Sequence, residues 1–126
     1  PRKGRKETGM NKFTEILAKK YALSPLCVNR EKVSTEDVLG IELTVEDVDI
    51  KKDIIVDGET ATFSIYTFKE LPGKYIYGGM KLTDIAESLL ELSVTEHTKI
   101  ADMGIKVILK QITLKNKNTF TDVEFI

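Results

Sequence analysis

Four aromatic residues, Tyr66, Phe68, Tyr75 and Tyr77, fall on two neighbouring strand-like runs, with Lys69 and Lys74 beside them. Flat rings between cations suit the stacking of bases and the neutralising of phosphates, the chemistry by which proteins hold single strands. Lys51, Lys52, Lys115 and Lys117 stand in two further polar stretches. The alternative is that Tyr75 and Tyr77 pack inward or beneath an N-terminal helix, since large rings also fill cores.

Catalytic chemistry finds little support. His97 is the only histidine, so neither a two-histidine metal site nor a histidine triad with a second copy can form. Cys27 sits beside Pro25 and Leu26 without a base near it in sequence, and a small buried thiol is the expected role. Glu36-Asp37 and Glu46-Asp47 are adjacent pairs, which a strand would send to opposite faces. Gly78-Gly79 lacks the lysine and hydroxyl of a phosphate loop. The chain reads as non-enzymatic, with no cofactor.

Composition sets the frame for these residues. A chain of 126 residues, 41% hydrophobic and 31% charged, is long enough for one domain with its own core. Net charge is −1, so any nucleic-acid contact must come from a local basic track rather than from the whole surface. No apolar run could span a bilayer and no secretory signal is visible, which with a single cysteine predicts a cytoplasmic protein without membrane contact.

The elements that must position the aromatics follow from periodicity. Residues 1–10 form a basic flexible tail carrying Arg2, Lys3, Arg5 and Lys6; a single domain covers 11–126. A helix is expected from Asn11, with Phe13, Ile16, Leu17 and Tyr21 on its apolar stripe and Ser24-Pro25 ending it. Ser34-Thr35-Glu36-Asp37 reads as a capped turn closed by Gly40. The first strand shifts phase between Val45 and Val48, the mark of a bulge; a loop from Lys51 to Thr60 follows, turning at Asp57-Gly58.

On the second strand Ala61, Phe63 and Ile65 are assigned inward and Tyr66 and Phe68 outward. After the Glu70–Gly73 turn, Tyr75 and Tyr77 oppose Ile76 on a short third strand. An amphipathic helix carries Leu82, Ile85, Ala86 and Leu89 inward, with Asp84, Glu87 and Glu91 facing elsewhere. The fourth strand, with Val107 and Leu109, shifts phase before Ile112; the polar turn Lys115–Asn118 then leads to a last strand with Val123 and Phe125 inward.

Strand, strand, strand, helix, strand, strand, over about 41–126, is the order of a five-stranded OB-fold Greek-key barrel with its helix between strands three and four. That order, the Tyr75-Ile76-Tyr77-Gly78-Gly79 segment and the lysine-rich turn before Thr121-Asp122-Val123-Glu124-Phe125 resemble small phage-type single-stranded DNA-binding proteins of the OB class. The resemblance implies binding of single-stranded DNA without sequence specificity, in phage replication or recombination. It also implies a homo-oligomer, or replication and recombination proteins, as partners. The binding residues would be Tyr66, Phe68, Lys69, Lys74, Tyr75, Tyr77, Lys115 and Lys117. The rival reading is a phage or prophage protein-interaction module that uses the same face or a free strand edge.

Overall fold

A computed structural model describes residues 12–14, 24–56 and 58–126. Residues 12–14 are helical and Phe13 is exposed; the basic tail and the rest of the expected N-terminal helix lie outside the described residues.

The chain is mainly β. Its strands are β1 (Glu31–Lys32), β2 (Glu42–Val56), β3 (Glu59–Phe68), β4 (Lys74–Gly78), β5 (Lys106–Thr113) and β6 (Thr119–Phe125). The helix α1 (Met80–Thr95) joins β4 to β5, as the element order predicted. Among the described residues the strands form one six-stranded sheet in the order β1-β4-β3-β2-β5-β6. Only β1 with β4 is parallel; the other pairs are antiparallel. A strand count of five therefore omits β1, a two-residue strand too short to leave a periodic signal.

β2 belongs to both halves of the sheet. Glu42–Thr44 pair with β5, and the rest of the strand pairs with β3. The change comes at a bulge: Val45 opposes Phe68 and Asp47 opposes Thr67, leaving Glu46 without a counterpart. An extra residue there lets Val45 and Val48 both reach the core while the strand bends. The phase change after Leu109 has another cause, because β5 and β6 pair without interruption from Val107–Phe125 to Thr113–Thr119. Ile112 simply lies on the face opposite the core, half-buried across from Phe120.

The stretch from Lys51 to Val56 is strand rather than loop: β2 runs to Val56 and β3 begins at Glu59. Gly58 adopts φ +82°, the positive value that a tight hairpin requires. The capped turn is Thr35–Val38, where Ser34 Oγ accepts from the Glu36 N–H, and Gly40 follows at φ +76°.

The core gathers Leu43, Val45 and Val48 from β2, Tyr66 and Phe68 from β3, Ile76 from β4, Val107 and Leu109 from β5, and Val123 from β6. Leu82, Ala86 and Leu89 close it from α1. Phe63 and Ile85, expected inside, are half-buried. Phe125 is 57% exposed: it opposes Val107 at the end of β6, the edge strand among the described residues.

Candidate functional site

β3 is covered on both faces, since Ser64 through Phe68 are all buried. On the face away from the core, Ser24 is buried and its hydroxyl donates to Asp49 Oδ2 at 2.6 Å. The single turn Pro25–Cys27 packs there against β2 and β3. Among the described residues this cover reaches β4 at Tyr75, beside Cys27, and the surface beyond it carries the aromatics.

Register decides which aromatics those are. Tyr66 opposes Ile76 and Ile65 opposes Tyr77, so Tyr66 and Phe68 share the core face with Ile76. Both rings are 1% exposed and cannot meet a ligand, which corrects their assignment to the outer face. Phe63 takes the place they were expected to hold. Its ring centroid lies 5.1 Å from that of Tyr77 at 73°, and Tyr75 lies 5.6 Å from Tyr77 at 60°. Edge-to-face contacts of this kind fix ring orientation.

Tyr77 is the most open member of the trio, at 38% exposure. Lys32 reaches over it from β1, its Nζ 4.8 Å from the ring centroid, within cation–π range. Lys51 opposes Phe63 in the ladder and so extends the same face. Tyr75 is half-buried; burial, then contacts with the Tyr77 and Cys27 side chains, push its phenol up to about 12. Cys27 is thus a half-buried thiol beside a phenol rather than a core filler.

The expected lysines divide into three situations. Lys74 is ion-paired with Glu31, and that pairing holds the Glu31 carboxyl below its usual range. Lys69 is exposed in the β3–β4 turn, where its N–H donates to the Thr44 carbonyl at 3.0 Å. Lys115 and Lys117 are exposed in the β5–β6 turn, with Lys117 in the left-handed region at φ 67°. Tyr75 and Tyr77 are therefore brought together with Lys32, Lys51 and Phe63, while Lys69, Lys115 and Lys117 stand in separate turns.

The two ends of the sheet approach each other beside this cluster. The chain from Glu31 to Thr35 follows the free edge of β4: Glu31 N donates to Gly73 O, Val33 N to Tyr75 O and Thr35 Oγ1 to Tyr77 O. Across from it lie Gln111 of β5 and Thr121 of β6, and between them is a cleft of about 490 Å³ that Tyr77 also lines. Lys32, Gln111 and Thr121 were not anticipated from sequence. A second groove, about 780 Å³, runs between the start of α1 and the β5–β6 hairpin past the exposed Met80, Leu114 and Phe120.

Among the described residues no cluster of acids, histidine and cysteine could hold a metal, and no helix is long and apolar enough to cross a membrane. Compared with known proteins, the chain matches no family model, no curated protein and no solved structure.

Proposed function

We propose that this chain is an open OB-type barrel that binds single-stranded DNA, with little sequence preference, through the outer face of β3 and β4. Two arms, β2-β3-β4 and β2-β5-β6, share one bulged strand, as in that barrel, and the helix lies in the expected gap. β1 and the turn after it lie along the edge of β4, where such a barrel would close.

The observation that carries the function is the Phe63–Tyr75–Tyr77 cluster with Lys32 above it. A base stacks on Tyr77, and Lys32 moves from the ring to the incoming phosphate. Such a ring contributes about 1–3 kcal/mol per base and tolerates any sequence. Lys115 and Lys117 lie four and six residues beyond the cleft residue Gln111, in the turn that borders the binding face in this barrel class. The acids of α1, Asp84, Glu87 and Glu91, are exposed on a different element. A sequence-neutral binder fits the replication or recombination setting that the phage-type resemblance implies.

The apolar groove past Met80, Leu114 and Phe120 favours a second reading, a protein-interaction module. Salt separates the two. Fluorescence polarisation with labelled oligo-dT, duplex DNA and RNA at two salt concentrations should show tightest binding to oligo-dT, weakening steeply as salt rises. No binding to any strand would reject the nucleic-acid reading in favour of the module.

A further inference from the structure

The cleft beside Tyr77 has the makings of a reading site as well as a stacking site. Its volume of about 490 Å³ lies within the range of small-ligand pockets. The hydroxyls on its β1 side are already engaged: Ser34 Oγ accepts from Glu36 N at 3.3 Å, and Thr35 Oγ1 donates to Tyr77 O at 3.3 Å.

Gln111 and Thr121 differ. They oppose each other across the β5–β6 ladder, both line the cleft, and among the described residues no hydrogen bond holds either side chain. A glutamine amide presents one acceptor and two donors. In an unpaired strand that pairing matches adenine on two edges, N7 with N6 and N1 with N6, whereas cytosine offers it on one, N3 with N4. In the same cleft Tyr77 offers a ring face, and Lys32 offers a cation that no ion pair holds among the described residues. Stacking surface, base-edge reader and phosphate counter-charge thus converge at one place.

We propose that this cleft takes one nucleotide of the bound strand and that Gln111 reads its base, preferring adenine. The proposal rests on the single-strand reading above and adds one base-selective position to an otherwise neutral face. The hydroxyl of Thr121 supplies a further polar partner on the same wall. Glu36, also on the rim, disfavours a phosphate lodged on its side and so turns the phosphate toward Lys32.

The test uses oligo-dT carrying one internal dA or one internal dC, titrated against the wild-type chain and Gln111→Ala. Gln111 is an exposed strand residue, so its truncation leaves no core cavity, and a melting curve checks the fold. The dA strand should bind the wild type about two-fold more tightly than the dC strand, since adenine offers the matching pair on two edges and cytosine on one. Gln111→Ala should erase that difference, so that the dA and dC strands bind alike. Equal binding of dA and dC strands by the wild type overturns the proposal while leaving single-strand binding intact. A preference that survives in Gln111→Ala overturns it too, because strand stiffness then sets the order. Free dAMP is titrated in parallel: binding as tight as the strand's makes the cleft a mononucleotide site and overturns strand reading. Failure to bind any strand overturns this proposal and the function beneath it together.

Discussion

The buried hydroxyl of Tyr66 donates a 2.5 Å hydrogen bond to the backbone carbonyl of Leu82, tying the middle of β3 to the first turn of α1. Burial pushes the phenol far above its ordinary value, which keeps it a neutral donor at neutral pH. Thr83 reinforces the tie, with Oγ1 3.1 Å from Ser64 Oγ and 3.3 Å from the Gly78 carbonyl.

Tyr66→Phe should therefore cost about 1 kcal/mol, the net worth of one hydrogen bond, since Leu82 lies within a helix. Tyr66→Ala should cost about 3–5 kcal/mol through the cavity left among Val48, Phe68 and Ile76. Denaturant unfolding measures both. A near-native midpoint for Tyr66→Ala would contradict the core placement.

Tyr77→Ala should behave in the opposite way. It gives up edge contacts with Phe63 and Tyr75, worth about 1 kcal/mol, and opens no interior cavity. Oligo-dT affinity should fall by about 1–3 kcal/mol in the same variant. A native melt with unchanged binding would move the function to the apolar groove.

Gly78→Ala should destabilise sharply. A Cβ there would lie 2.6 Å from Leu82 Cβ and closer still to Ser64 Oγ. The hydroxyl can turn away, but Leu82 Cβ is fixed by the helix, so β4 and α1 must separate at a cost of about 1–3 kcal/mol. Leu82→Ala keeps that Cβ and should not rescue the variant in thermal melts.

Glu70 should shape the acid limb of the stability curve. Its two carboxylate oxygens accept from Thr44 N at 2.6 Å and Thr44 Oγ1 at 2.7 Å, binding the β3–β4 turn to the start of β2. Burial alone would raise its pKa; the Thr44 bonds and nearby Lys106 outweigh that, and the net shift is downward. Stabilisation is then present above the unfolded value and lost as pH falls through the depressed folded value. Glu70→Gln should flatten that limb, and an unchanged acid profile would contradict the bonds.

Tyr75 should act on the alkaline side. With its phenol raised to about 12, stabilisation is complete below the ordinary tyrosine value and lost as pH climbs through the folded one. Tyr75→Phe should remove that loss, as followed by unfolding at alkaline pH.

The features legible in the sequence were those written locally. The shift from Val45 to Val48 announced the bulge at Glu46, and Ser34 and Gly40 bracketed their turn. The faces of β3 were misread because Ser64 looks like a solvent-facing residue. It is fully buried, and its size suits the close approach of Gly78 and Thr83. Small polar residues at a strand–helix contact resemble surface residues until the register is known. Tyr75 and Tyr77 lie on the face of β4 opposite the buried Ile76, as strand alternation requires. Lys32 and Gln111 were out of reach, since the cleft joins parts of the chain that no local pattern connects.

The docking of β1 along β4 has a consequence in time. Glu31 and Lys74 lie 43 residues apart, so the first strand made has no partner until most of the chain exists. The β2–β3 and β5–β6 hairpins close over short turns and carry little loop-closure cost, whereas the β1–β4 contact must close a much longer loop and await β4. Lys32 therefore settles over Tyr77 late in folding. Slow or failed docking of this two-residue strand would leave a nearly complete sheet whose binding cluster lacks its cation.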